Sequence, residues 1–561
     1  MEKTILEFLA KFWDKNLASE IIFSPVPKKA SGDLALNFFA ITKKKSSPPQ
    51  KIAQEISQIL KNCPLIKKSE ICGPYLNVFF KNEKFFEQVF ETPTKSKLLK
   101  NKKILVEFSS PNTNKPLHLG HMRNHALGIS LSRLFEKCGA KIFRVSIFND
   151  RGIHICKSML GYKKFGKNKN PDKKSDHFVG NFYVKFEQEA KKNKSLLDDA
   201  QKMLVDWEKN DPEIKKLWDK MNTWALNGYE ETYARQGISF DKKYFESDLY
   251  KQGKNYVEEG LKKNILKKNK DGAIYIDLAE IGLDKKILLR ANGTTVYITQ
   301  DLHTTVKKQQ DFDPDEQIWI VADEQNYHFK VLFFTLEKLN LLPANNLFHL
   351  GYGLVNLPEG RMKSREGKII DADNLMNELQ SLAIEKIKSR QLEISEKKIF
   401  EIAEKIQNAA WKFYLLKTSP QKTITFDTKK SIDFQGATGP YLQYAGVRIN
   451  SILKKIDPKI LKSPLNKKII QTLSETEKPL GIKILEFPKI LDKAANEKNP
   501  TYIVTYLLEL CQTWSSFYDQ NSILQTKPEE LKIARIFLAK KIYQILEQGL
   551  YILGIEIPDK M

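Results

Sequence analysis

At 561 residues the chain exceeds what one hydrophobic core sustains, about 250 to 300 residues, so about two to four domains are expected. Hydrophobic residues make up 41% and charged residues 29%, which excludes disorder as the default reading. Lys and Arg outnumber Asp and Glu by 92 to 68, a net charge of +24, so a polyanion such as nucleic acid, or an acidic membrane surface, heads the candidate partners unless the lysines are merely spread over solvated faces.

The opening segment MEKTILEFLAKFWDKN is amphipathic and not signal-like: Ile5, Leu6, Phe8, Leu9, Phe12 and Trp13 fall at helical spacing and predict a buried helix face. Short strands around Leu34 to Phe39 and Tyr75 to Phe80, with a helix over Gln50 to Leu60 between them, make a small α+β module that closes near the basic link KSKLLKNKK. KILVEF (Lys103 to Phe108) and KIFRVSIF (Lys141 to Phe148) then read as strands of a βαβ unit and hence of a buried parallel sheet. Between them lies a helix carrying Leu127, Leu131, Leu134, Phe135 and Cys138, with Gly139 as its C-cap.

A Lys-, Asn- and Asp-rich helical stretch from about 155 to 237 interrupts the strand rhythm and reads as an insertion. The pairs Asp271-Gly272 and Asn292-Gly293, beside AIYI and TVYI, suggest hairpins. Strands resume at QIWIVA and LFHLGYGLV, and amphipathic helices dominate after about Asn374. Five cysteines (Cys63, Cys72, Cys138, Cys156, Cys511) show no C-x-x-C pair and no zinc spacing, which fits a reduced cytoplasmic chain without structural metal. No apolar run approaches the about 18 to 20 residues needed to span a bilayer, so no membrane partner is expected.

The strongest chemical signal is VEFSSPNTNKPLHLGHMRNH, where the first strand ends and its helix begins. Ligands of doubly wound sheets bind at such carboxyl ends, where helix N–H groups and dipole favour phosphate. His118 and His121 lie three residues apart on the first helical turn and can both donate to one triphosphate, while Gly120 lacks a Cβ, so a flat adenine could approach the backbone there. Pro111 and Pro116 stiffen the presenting loop. A P-loop lookalike, Gly161, Gly166 and Lys167, has Asn168 where Ser or Thr is needed and no strand before it.

On these residues the sequence resembles the class I aminoacyl-tRNA synthetases, whose signature is His-x-Gly-His at the start of the first Rossmann helix. That pattern is paired with a basic loop of the form Lys-Met-Ser-Lys-Ser, and the candidate here is GRMKSREG. Aligned on Met362, Arg361 takes the first basic position, but Ser364 stands where the second lysine belongs. Cations here would neutralise pyrophosphate as charge builds on it in the transition state. Lys363, Arg365 or Lys115 could do so, the last resembling an extra lysine that arginine-specific members place just ahead of the first signature.

A guanidinium substrate needs carboxylates and a phenol. VYITQDLHTTVKKQQ supplies Tyr297 and Asp301, expected to cross from a strand into a helix, and FDKKYFESDLY supplies Glu246. The resemblance to arginine-specific members implies that these three meet the guanidinium, that Ser110, Asn112 and Gln325 hold the α-amino and carboxylate groups, and that Gly351 joins His118, Gly120, His121, Arg361, Met362, Lys363 and Ser364 in binding ATP. VADEQNYHFKVLF matches the family's run, with Gln325 and His328. One departure is Asn149-Asp150-Arg151-Gly152 where the family often has Gly-Asp-Trp-Gly.

The expected architecture is an α/β Rossmann-type catalytic domain (98–385, helical insertion about 155–237), a small α+β N-terminal domain (1–97) and an all-α C-terminal bundle (386–561). The resemblance of GDLALNFF and ICGPYLNVFF to the family's N-terminal additional domain implies tRNA contact, and that of GATGPYLQYAGVRINSIL and the final helix implies anticodon binding. The resemblance implies ATP, L-arginine and tRNA(Arg) as partners, Mg2+ arriving with ATP and no dedicated protein metal site, and a monomer is expected. The rivals are another nucleotidyl-transferring ligase with the same His-x-Gly-His site, and a non-catalytic tRNA-binding paralogue, which should carry broken signatures. Cysteine specificity is disfavoured by the missing zinc set.

Overall fold

A computed structural model describes residues 1–26, 30–358, 370–390 and 394–561. GRMKSREG, and with it Arg361, Met362, Lys363, Ser364 and Arg365, lies outside the described residues.

The chain folds as two compact units. One comprises Met1–Thr94, Ala445–Ile490 and Tyr506–Gln548; the other Lys95–Tyr444, Leu491–Thr505 and Gly549–Met561. In the first, an antiparallel sheet runs Ile22–Ser24, Leu34–Asn37, Tyr75–Phe80, Ile66–Cys72. LALN and YLNVFF are largely apolar and mostly buried, which marks two of these strands, whereas Ile22–Ser24 is too short and Ile66–Cys72 too solvent-exposed to show an apolar period. The first helix, Glu2–Phe12, buries only Ile5 and Leu9, and Phe12 is 54% exposed, so the buried face is narrower than the periodicity predicts. Helices of the last third complete this unit, tied in by a buried Lys478–Asp33 pair at 2.7 Å and an Arg535–Glu477 pair at 2.7 Å.

The second unit holds the parallel sheet. Its strands are β1 (Lys103–Glu107), β2 (Lys141–Phe148), β3 (Lys242–Phe245), β4 (Glu316–Ala322) and β5 (Leu347–Tyr352), in the order β5-β4-β1-β2-β3, all parallel. β1 is central, which is why Ile104, Leu105 and Val106 form a continuous apolar run: both its faces are covered. The strand order reverses direction between β1 and β4, so the loop after β1 opens at the topological switch point.

Helix α1 (Leu119–Lys137) follows that loop and packs on the sheet, ending at Cys138 with Gly139 just beyond at φ 98°. The crossover from β2 to β3 carries the insertion: α2 (Ile153–Phe165), α3 (Ser175–Lys192), α4 (Ser195–Glu208) and α5 (Pro212–Gln236), which share a core of Met159, Phe178, Phe186 and Trp207. Gly161 sits inside α2, where a Cβ would fall 2.4 Å from the Phe182 carbonyl, so this glycine serves helix packing and not a phosphate loop.

A hairpin at Asp271-Gly272 joins Lys267–Lys268 to Ile274–Ile276, as expected. The Asn292-Gly293 turn also closes, but TVYI is not a strand. Tyr297 is the first residue of helix α6 (Tyr297–Phe312), so Tyr297 and Asp301 lie one turn apart on the same helix and do not straddle a strand-helix boundary. The β-branched run was misleading because the helix starts immediately after Val296, with no polar cap side chain to mark it.

Candidate active site

The loop after β1 is held in an unusual conformation. Ser109 and Ser110 both adopt left-handed backbone, φ 78° and 46°. Non-glycine residues rarely do this unless their surroundings over-determine it. Here the Ser109 amide donates to Asn124 Oδ1, and its hydroxyl lies 2.7 Å from Tyr233 Oη and 2.8 Å from His125 Nε2. The Ser110 amide donates to Ser146 Oγ at 3.2 Å. Beyond it, Asn112 bridges to Asn149 beside the end of β2, and the Tyr229 hydroxyl lies 2.7 Å from the carbonyls of both Asn112 and Lys115.

The loop delivers His118 as the N-cap of α1. Its Nδ1 accepts from the Gly120 amide at 3.1 Å, and His121 Nδ1 accepts from the His118 amide at 3.2 Å, a reciprocal capping box built from two imidazoles. The chemistry follows directly. An Nδ1 that accepts cannot carry the proton, so each neutral ring is a donor at Nε2. Burial, reinforced by Lys115, pushes His118 down to about 3, and burial together with His118 itself pushes His121 well below its ordinary value. The two rings, with centroids 4.0 Å apart, are therefore neutral donors at any physiological pH.

Gly120 has a nearer reason than an adenine: a Cβ there would fall 2.9 Å from the His118 ring, so the glycine makes room for the cap. Lys115 is half-buried, with its ammonium pKa lowered by burial. Leu119 donates to Ile370 O at 3.0 Å and Ala372 to Leu117 O at 3.0 Å, so the chain emerging at 370–372 runs antiparallel beside this signature.

The acidic residues gather at the same carboxyl edge. Glu246 directly follows β3 and begins a short helical turn (Glu246–Leu249), fixed by the Asp150 carboxylate, which accepts from the Ser247 amide at 2.8 Å and hydroxyl at 2.6 Å. Burial pushes the Glu246 carboxyl up to about 7, with Arg151 opposing the rise and Asp150 and Asp301 adding to it. Asp301 therefore stands within electrostatic reach of Glu246. Its Oδ2 lies 2.6 Å from His328 Nε2.

Helix α6 is held over the sheet by two clamps. Lys308 forms a buried ion pair with Glu107 at the end of β1, and Asp311 receives Lys242 at 2.7 Å, Lys307 at 2.6 Å and the Tyr244 hydroxyl at 2.8 Å. Against the desolvation of partial burial, these partners keep the Asp311 carboxyl down at about 2.

Not every nominated side chain is enclosed. Tyr297 is 77% exposed, so among the described residues no closed cavity surrounds its phenol. Gln325 ends the 3-10 turn after β4 and is exposed, and Gly351 lies in β5, with its backbone against Asp323 and Asn326.

Several supporting residues escaped the sequence reading. Arg123 is fully buried in α1 and donates to the carbonyls of Leu354, Ser419, Pro420 and Lys422. His125, pushed down to about 4 by burial, bridges Ser109 and Gln236. Within the helix the only signal was a run of polar residues on what should be an apolar face: Arg123, Asn124, His125, Ser130 and Ser132, all buried.

Asp176, His177 and Asp373 bring ligand atoms within 4.8 Å of one another. Lys174 Nζ already sits 2.9 Å from both Asp176 and Asp373 and supplies the positive charge that a metal would bring. A cavity of about 470 Å³ lies elsewhere, lined by Arg133, Arg235, Glu404, Lys412 and Glu556 among others, and among the described residues none of those nominated borders it.

Family models match the chain in three consecutive stretches: an arginyl tRNA synthetase N terminal domain over residues 1–80, a class I (R) tRNA synthetase catalytic domain over 87–427, and a DALR anticodon binding domain over 442–561. The arginine–tRNA ligase of Treponema denticola is 43% identical over 98% of this chain and 96% of its own, and that of Borrelia hermsii is 41% identical over 100% and 98%. Among solved structures, the arginyl-tRNA synthetase of Thermus thermophilus aligns at TM-score 0.82 and 23% identity, covering 100% of this chain and 99% of that one. The Plasmodium falciparum arginyl-tRNA synthetase aligns at 0.78 and 21%, covering 100% and 98%. The catalytic-domain model spans more than half the chain, and these relatives exceed 40% identity along nearly all of it, so the chain belongs to the arginyl-tRNA synthetase family of class I.

Proposed function

We propose that the chain is an arginine–tRNA ligase: it activates L-arginine with ATP to arginyl-adenylate and diphosphate, then transfers the arginyl group to tRNA(Arg) with release of AMP. The observation carrying this reading is that Glu246 and Asp301, from distant segments, are electrostatic neighbours on the edge of the sheet where two neutral imidazoles present Nε2 donors. His118 and His121, with Gly120 and Gly351, bind ATP. Lys115 stabilises the leaving diphosphate together with Lys363 or Arg365, and Arg361, Met362, Lys363 and Ser364 take the remaining ATP contacts.

Glu246, Asp301 and Tyr297 receive the guanidinium, while Ser110, Asn112 and Gln325 orient the α-amino and carboxylate ends. A carboxylate oxygen of arginine attacks the α-phosphorus as the bond to the β-phosphate oxygen breaks. In the second step the 2′-hydroxyl of the terminal adenosine attacks the acyl carbon and AMP leaves. Because the imidazoles are neutral, they orient and hydrogen-bond the phosphates, and the positive charge needed in the transition state falls to lysine and arginine side chains.

Mg2+ accompanies ATP without a dedicated protein site. Arginine activation requires bound tRNA, held by the N-terminal module (1–97) and the helical C-terminal region (386–561), with the catalytic domain over 98–385. The protein acts as a cytoplasmic monomer, and no helix among the described residues is long and apolar enough to cross a membrane. An aminoacylation assay with total tRNA and each of the twenty amino acids tests the reading: arginine alone should be esterified, and charging with another amino acid, or none, refutes it.

A further inference from the structure

Arg151 stands where the family resemblance leads one to expect tryptophan, and its surroundings are specific. The side chain is 11% exposed. Its guanidinium carbon lies 3.9 Å from the centroid of the Tyr250 ring and 5.5 Å from that of Trp207, Nη2 donates to Glu208 at 2.7 Å, and Nη1 stands 3.7 Å from Glu246 Oε1. Glu208 ends α4 of the helical insertion, while Glu246 follows β3 of the sheet. One planar cation thus joins the insertion to the nominated substrate carboxylate, and stacking on an aromatic face suits guanidinium better than ammonium.

We infer that Arg151 is a positioning residue for the amino-acid pocket: clamped between the Tyr250 ring and Glu208, its guanidinium holds the Glu246 carboxylate in place to receive the guanidinium of arginine. This rests on the reading of Glu246 as a pocket residue. The charges around Glu246 make such a partner necessary. Asp150 precedes Arg151 and is buried, Asp301 acts from α6 with His328 on its Oδ2, and Asp248 lies two residues on in the same short helix.

Lys215 from α5 sits over the Trp207 ring, 3.2 Å from its centroid, and Lys251 lies 5.3 Å from the Tyr250 centroid, so two further cations share this aromatic cluster. Burial and two neighbouring carboxylates press the Glu246 proton to stay on, and Arg151 is the group that opposes them. A carboxylate shared by two guanidiniums, one resident and one from substrate, alternates charge and leaves neither cation facing the other directly.

The test is aminoacylation kinetics with saturating tRNA, from pH 6 to 8.5. Glu246 must be ionised to bind arginine, so in the parent the arginine KM should rise as pH falls below about 7. Arg151→Met removes the opposing cation, so the Glu246 carboxyl titrates higher. A displacement of about one pH unit raises the arginine KM about fivefold at pH 7 and about tenfold at pH 6, and the gap to the parent closes as pH approaches 8.5. The ATP KM should stay within about twofold. Arg151→Lys keeps the charge without the planar fork and should fall between the two.

In a Glu246→Gln background, Arg151→Met should add nothing to the arginine KM. A pH-independent loss, equal rises in the ATP and arginine KM, or full additivity with Glu246→Gln would overturn the inference in favour of a purely structural Arg151. If Glu246→Gln itself leaves the arginine KM unchanged, the pocket reading fails. If Glu246→Gln raises it and Arg151→Met does not, only this inference fails.

Discussion

The two halves of the candidate site are built on opposite principles. The half proposed to face the nucleotide is local: His118, Gly120 and His121 satisfy one another within a single helical turn, and the cap that starts the helix also fixes the tautomer of both donors. The amino-acid half is assembled from afar. Asp150, Glu246 and Asp301 come from three segments, and their placement depends on a buried ion pair, a stacked guanidinium and hydrogen bonds between loops. A locally capped site is preorganised by the backbone and keeps its charge state constant with pH. A site of converging carboxylates has to be held together against its own repulsion.

The local half can be broken with one side chain. His121→Ala removes an Nε2 donor and the acceptor that caps the His118 amide. We expect kcat to fall about 100- to 1000-fold, the range for loss of one preorganised donor, with tRNA affinity nearly intact. The parent kcat at saturating arginine should also be flat from about pH 6 to 8.5, because His118 titrates at about 3 and His121 is pushed down too. A kcat that rises or falls with an imidazole-like midpoint in that window would refute the neutral-donor account.

The distant half should fail in a different parameter. Asp301→Ala removes one proposed acceptor for the guanidinium and takes away the Asp301 carboxylate that His328 meets. Because Asp301 is 38% exposed, the loss should sit toward the lower part of the range for truncating a charged partner, about 100-fold in arginine KM. The ATP KM should not move, and parallel losses in both would show that the two halves are not separable.

This contrast also explains what the sequence disclosed. Patterns confined to a few residues were legible: the HLGH turn, the strand KIFRVSIF matching Lys141–Phe148 residue for residue, and the insertion near 155–237 observed as four helices. Contacts between distant segments were not. Arg151 on Tyr250, Lys308 on Glu107 and His125 on Gln236 pair residues far apart in the chain, and no periodicity encodes them. The strand expected at TVYI failed for a related reason: four β-branched or aromatic residues favour a strand locally, but Ile298 and Leu302 bury against Trp319 and Phe329, and that packing requires the helical spacing.

The scaffold of the distant half can be tested apart from chemistry. Lys308 and Glu107 are almost wholly buried, so Lys308→Met leaves a buried carboxylate without its partner, a change that typically costs about 3 to 5 kcal/mol. The double variant Lys308→Met with Glu107→Leu removes both charges and should recover most of that loss, read from urea or thermal unfolding. Recovery of stability without recovery of the arginine KM would show that the pair aims α6 and does more than hold the sheet.

Tyr297→Phe should have the smallest effect. A phenol that is 77% exposed stays solvated whether or not it meets the substrate, so its hydroxyl exchanges one hydrogen bond for another with water at little net gain. We expect the arginine KM to rise no more than about threefold and stability to change by less than about 0.5 kcal/mol, the usual bound for surface substitutions. A loss approaching that of Asp301→Ala would mean that Tyr297 becomes enclosed when arginine and tRNA bind, placing part of the pocket's assembly in the bound state. The distant half would then be completed by its own substrates, while the capped imidazoles of the local half stand ready without them.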